Sequence, residues 1–173
     1  IRMRNTVVWY YGKVRSYVQP YVRLNDEYDM ILDYLYISDF PSACNMEALE
    51  HLGITHVITA IPGVDPMFPS HFRYLTLNVY DRPDEDISRY FKKYIEIIEE
   101  ARLEKGKVLV HCMCGISRST TIICSYLIEA RGFSANSAVD YVKARRACVC
   151  PNPGFMKQLE VFDQEPDAPG TSR

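Results

Sequence analysis

The sequence predicts an α/β domain with a central, mostly parallel sheet flanked by helices, preceded by a helical arm. Three observations predict it. Short β-branched and apolar runs alternate with amphipathic helical segments along most of the chain. Capping or breaking residues bound most of those segments. The 173 residues, 47% apolar and 24% charged, are ordinary globular material for one domain. No uninterrupted apolar stretch approaches the roughly 18 residues of a membrane span. High hydrophobic content with a net charge of only −2 excludes disorder throughout and a bulk nucleic-acid binder.

The arm comes first. Arg2, Arg4, Lys13, Arg15 and Arg23 stand without an acid before residue 24, whereas the whole chain is net acidic. Val7, Tyr11, Val14, Val18 and Tyr21 recur at helical steps, and Pro20 should end the helix. Three readings are open for it: packing on its own domain, pairing with a second copy, or lying on an anionic surface. The expected divisions are 1–28 for the arm, 29–163 for the domain and 164–173 for a disordered tail.

Within the domain, residues 31–37 (ILDYLYI) predict a strand. Asn45 can cap a short helix that Gly53 stops. The unbroken apolar run at 55–61 (THVITAI) predicts a buried strand, and another follows at 74–79. After the acidic stretch YDRPDED, residues 88–104 carry Tyr90, Phe91, Tyr94, Ile95, Ile98 and Ala101 on one helical face. Residues 107–111 (KVLVH) predict a short buried strand. Helices are then expected over 118–130, closed by Gly132, over 135–146, capped by Ser134, and from Pro151 and Asn152 through Phe162.

The chemistry is concentrated after the last strand, in HCMCGISRS at residues 111–119. A loop at a strand's carboxyl end and a helix's amino end presents unpaired amides backed by the helix dipole, a nest for a tetrahedral oxyanion. Met113, Cys114, Gly115, Ile116 and Ser117 form that nest. Gly115 permits close approach or positive φ, and Arg118 supplies a planar fork for two oxygens. Cys112 opens the loop, where a helix N-terminus and a guanidinium should lower its pKa from about 8.5. A thiolate so placed can attack phosphorus and carry it covalently.

On HCMCGISRS, the upstream YDRPDEDISRYF and the downstream PNPGFMKQL, the chain resembles the cysteine-dependent protein phosphatases. Within them it is closest in pattern to the dual-specificity branch of small poxviral and VHR-like enzymes. The resemblance covers most of residues 29–163. It implies Cys112 as nucleophile, Arg118 as phosphate clamp, Ser119 as donor to the departing thiolate, and His111 as the residue that orients the loop. Of Asp81, Asp84, Glu85 and Asp86, it aligns Asp81 with the family's general acid. Asp86 instead resembles an N-cap of the long helix, with Asp84 and Glu85 near its positive end. Asn152 matches a family position near the loop, against a simpler role capping the last helix.

The function expected is hydrolysis of phosphotyrosine and phosphoserine/threonine in proteins, a protein kinase among the conceivable substrates. The alternatives are a weakly active phosphoprotein-binding scaffold and a phosphatase of lipids, glycans or RNA ends. The loop lacks the extra lysines that lipid-directed relatives carry. No cofactor, metal or nucleic acid is expected. Cys148 and Cys150 form a lone C-x-C, Cys44 and Cys124 read as core, and Cys114 reads as space filler or redox partner of Cys112. No signal-peptide pattern is visible, so reduced thiols in the cytoplasm or nucleus are expected.

Overall fold

The computed structural model describes residues 28–164. The arm, its expected pairing with a second copy, and the tail from residue 165 lie outside the described residues. Strands β1 (Asp29–Leu32), β2 (Leu35–Ser38), β3 (His56–Thr59), β4 (Arg73–Thr76) and β5 (Val108–His111) form one sheet in the order β1-β2-β5-β3-β4. β1 and β2 are antiparallel; every other pairing is parallel. The helices are α1 (Phe40–Ala43), α2 (Met46–Leu52), α3 (Phe91–Leu103), α4 (Arg118–Arg131), α5 (Ala135–Lys143) and α6 (Pro153–Gln164).

Local chemistry explains where these elements depart from expectation. The strand expected over 31–37 is a hairpin, because Asp33 and Tyr34 turn the chain and set Asp29 opposite Ile37. Asp favours such turns through its short hydrogen-bonding side chain. Helix α1 was not expected. Asp39 caps it, its Oδ1 accepting from the Ser42 amide at 2.9 Å, with Pro41 in the first turn. The long helix expected from residue 88 begins as a 3₁₀ turn, Ser88–Tyr90, and becomes α-helical at Phe91. Helix α5 stops at Lys143 rather than 146, and α6 reaches Gln164, one residue into the expected tail.

Two cores cover the two sheet faces, as the period-2 alternation of strands requires. Leu35, Ile37, Ile58, Val108 and Val110 pack beneath α3 to α6 in the larger core. Tyr36, Val57 and Leu109 point the other way, to a smaller core with Leu49 of α2, Ile54 and Phe72. Helix α4 lies at the centre of the first layer. Its residues from Arg118 to Ile128 are all buried, and α3, α5 and α6 pack around it. Three of its buried hydroxyls bond back to backbone carbonyls one turn earlier: Thr120 to that of Ile116, Thr121 to that of Ser117, Ser125 to that of Ile122. That satisfies these three without a partner helix having to supply an acceptor.

Phe91 of α3 meets Phe162 of α6 edge to face, with centroids 5.1 Å apart, and is fully buried. Replacing it by Ala should lower stability by about 3–5 kcal/mol, read from urea unfolding at equilibrium. A loss below about 1 kcal/mol would show that α3 and α6 are not locked together through this pair.

Candidate active site

The register of the sheet brings three strand ends together. His111, last in β5, stands beside Ser38 of β2 on one side and Thr59 of β3 on the other. Thr59 Oγ1 donates to His111 Nε2 at 2.8 Å, which leaves Nδ1–H directed at the Cys112 carbonyl, 3.4 Å away. Burial lowers the His111 pKa to about 4, with the Arg118 charge adding to the effect, so the ring is neutral at pH 7. A neutral ring with one donor and one acceptor nitrogen fits both bonds. Phe40 of α1 stacks on it at 5.9 Å.

The loop from Cys112 to Arg118 follows. Its carbonyls are tied to the outside one after another. Met113 O accepts from the Phe40 amide at 3.1 Å, and Ile116 O from the Cys150 amide at 2.9 Å. Arg146 takes the two between them: its Nε donates to Gly115 O at 2.9 Å and its Nη2 to Cys114 O at 3.2 Å. Asp29, at the start of β1, holds the third arm of that guanidinium at 2.6 Å. With successive carbonyls held outward, the amides are left to face the concavity, the arrangement of an anion nest. Gly115 is obligatory here. Its φ is +66°, and a Cβ would come within 2.6 Å of Ser38 O and 2.9 Å of Arg146 Nη2.

Cys112 lies at the floor of this cup, 2% exposed. Burial opposes its ionisation, yet its pKa is lowered overall. The Ser119 hydroxyl 3.3 Å from Sγ, the Ser119 and Ile116 amides and the Arg118 charge together outweigh desolvation. Arg118 is itself buried. Its Nη1 donates to the Val79 carbonyl at 3.2 Å, while Nε is buried without a hydrogen-bond partner. A buried charged donor left open at the mouth of an amide nest can hold an oxyanion.

Asp81 stands at the rim, with Oδ2 3.7 Å from Arg118 Nε. Its other oxygen accepts from Ser117 Oγ at 2.7 Å and from Asn152 Nδ2 at 2.9 Å. Asn152 therefore fills both roles that the sequence left competing: its Oδ1 also caps α6 through the Phe155 amide at 3.0 Å. Ser117, expected only as part of the nest, turns its hydroxyl to the acid. The segment that carries Asp81 is docked on α6. Gln158 accepts from the Ile87 and Ser88 amides and donates to Glu85 O. Gly154 lies so close to the Pro83 backbone that no Cβ would fit between them. Asp86 is not the N-cap of the long helix, whose cap position is Tyr90; it accepts from the Arg89 amide at 3.3 Å and the Ser88 hydroxyl at 2.8 Å across the preceding 3₁₀ turn. Asp84 and Glu85 instead form surface ion pairs with Arg82 and Arg89.

Every residue expected at the site is gathered there, and Arg146, Asp29, Gln158 and Gly154 join it unannounced. Nothing in the spacing marks Arg146, since it follows a helix whose length the sequence overstates. The six cysteines are free. Cys124 is buried and Cys44 half-buried; Cys114, Cys148 and Cys150 are exposed. Burial, then the neighbouring Cys112 charge, raises the Cys114 thiol, so it stays protonated beside a reactive neighbour. No three His, Cys, Asp or Glu among the described residues gather as metal ligands.

Gly115→Ala should push the loop off Ser38 and Arg146 and turn amides away from Sγ. The pH midpoint for alkylation of Cys112 by iodoacetamide should then rise, because the thiolate loses donors. An unchanged midpoint would show that the loop's backbone does not stabilise the charge.

Comparison with known proteins agrees with this geometry. Residues 35–165 match the family described as dual specificity phosphatase, catalytic domain. A probable rhodanese domain-containing dual specificity protein phosphatase of Dictyostelium discoideum is 35% identical over 136 residues, 79% of this chain and 29% of its own length. Dual specificity protein phosphatase 1 of Arabidopsis thaliana is 32% identical over 164 residues, covering 90% of this chain and 83% of its own length. The crystal structure of the human tyrosine phosphatase-like serine/threonine/tyrosine-interacting protein superposes with TM-score 0.77 at 35% identity. The superposition covers 80% of this chain and 97% of the human one. With the family match covering residues 35–165 and the Arabidopsis and human relatives this similar over most of their length, the chain belongs to the dual specificity phosphatase family.

Proposed function

We propose that the domain hydrolyses phosphate monoesters on the tyrosine, serine and threonine side chains of proteins through a cysteinyl-phosphate intermediate. One observation carries this reading. A buried cysteine whose pKa is lowered faces, within one cup, a buried guanidinium nitrogen without a hydrogen-bond partner and a carboxyl group 3.7 Å from that nitrogen.

The chemistry follows from those positions. The phosphate's non-bridging oxygens occupy the amides of Met113 to Ser119 and the Arg118 fork. Cys112 Sγ forms a bond to phosphorus as the bond to the substrate oxygen breaks, and protonated Asp81 gives its proton to that oxygen. Water then enters. Asp81, now a carboxylate, takes a proton from it while the oxygen attacks phosphorus and the P–S bond breaks. The Ser119 hydroxyl, 3.3 Å from Sγ, donates to the sulfur as it recovers its charge. Ser117 and Asn152 keep the acid aimed. A nucleophile of this kind works only as a reduced thiol, which supports a cytoplasmic or nuclear setting.

Cys112→Ser should bind phosphopeptide and release no phosphate, whereas turnover well above background would overturn the reading. Binding without turnover by the unmutated domain would favour a phosphoprotein-binding scaffold instead. Asp81→Asn should lower kcat by roughly 10²–10⁴. A larger effect from Asp84→Asn would move the acid to that residue.

A further inference from the structure

Beside the acid segment, a groove of about 450 Å³ runs between the 3₁₀ turn with the start of α3 and the second half of α6. Arg89, Lys92 and Lys157 line it, no acid does, and Val161 and Phe162 give it an apolar floor. Val161 is 61% exposed, unusual for an aliphatic side chain on an otherwise well-packed helix. Arg89 is partly engaged by Glu85 at 3.6 Å. Lys92 and Lys157 have no partner among the described residues.

The groove lies along the helix whose start adjoins Asp81. Asn152, whose side chain holds Asp81, immediately precedes α6. At about 1.5 Å of rise per residue, Lys157 lies about 8 Å and Val161 about 14 Å further along the axis. An extended peptide covers about 3.3 Å per residue. A peptide with its phosphorylated residue in the cup, running along α6, therefore brings residues about two to four positions away over the groove.

We propose that this groove takes acidic side chains of the phosphoprotein substrate, so that the domain favours phosphorylated residues flanked at that distance by Glu or Asp. This rests on the phosphatase reading and adds the substrate's charge pattern to it. Uncompensated cations attract an acidic segment at long range and pair with it at short range. The apolar floor adds contact for one neighbouring side chain.

The test compares phosphopeptides of one sequence carrying Glu, Gln or Lys about two to four residues from the phosphorylated position, on either side. The unmutated domain should favour the Glu peptide in kcat/KM, by up to about 5-fold for each exposed ion pair formed. Lys92→Ala with Lys157→Ala should abolish that preference, and Lys92→Glu with Lys157→Glu should turn it toward the Lys peptide. Hydrolysis of a small aryl phosphate, which cannot span the distance, should be the same in all three proteins. Both lysines are exposed on helices, where Ala and Glu are well tolerated. An equal preference before and after substitution, or none at all, would overturn the proposal. So would lysine-dependent binding to phosphatidylserine vesicles without peptide preference, which would make the groove a membrane contact. Failure of the phosphatase reading is separable. Aryl phosphate would then go unhydrolysed, while the Glu peptide's binding to Cys112→Ser would still report on the groove.

Discussion

Everything at this site depends on where the carbonyls of one short loop point. A peptide unit that turns its oxygen outward turns its N–H inward, and here Met113, Cys114, Gly115 and Ile116 all have their oxygens held from behind. The Arg146 guanidinium secures two of them and is secured in turn by Asp29, more than a hundred residues away in sequence. That ion pair, whose Arg146 end is buried, stiffens the cup from behind the loop. It is also the kind of pair whose breaking is costly, because one buried charge would be left without its partner.

The inward amides make a buried thiolate tenable. Cys112 is almost wholly withdrawn from water, which by itself would favour the neutral thiol. Two amides, one hydroxyl and one guanidinium reverse the balance. In the proposed mechanism those amides and the guanidinium also take the phosphate's oxygens, so stabilising the sulfur's charge and binding substrate would be one arrangement. The acid is kept apart from the loop's backbone, on a segment clasped to α6 by Gln158 and the tight Gly154–Pro83 approach. Its contacts with Ser117 and Asn152 hold it at the rim of the cup.

Much of this was legible in the sequence wherever the signal is local. The strand–loop–helix joint at 111–119, the Asn45 and Ser134 caps and the Gly53 and Gly132 stops depend on neighbouring residues, and the structure has them where expected. Asp81 was singled out through resemblance, and the structure sets it at the rim beside Arg118, Ser117 and Asn152. The hairpin was not, because ILDYLYI is apolar enough to pass for one strand and only Asp33 hints at a turn. The role of Arg146 was hidden for another reason. It depends on tertiary contact with a loop some thirty residues earlier, and no periodicity records that. Asn152 looked like a choice between capping and catalysis, but an amide side chain has separate donor and acceptor ends and uses one for each.

The most direct test of the central claim is to quench the domain in acid during turnover of an aryl phosphate and locate the phosphoryl group by peptide mass spectrometry. The arrangement around Sγ predicts phosphate on the Cys112 peptide, enriched when Asp81→Asn slows the hydrolytic step. Steady turnover with no phosphocysteine in that variant, or phosphate on another residue, would contradict nucleophilic attack by Cys112.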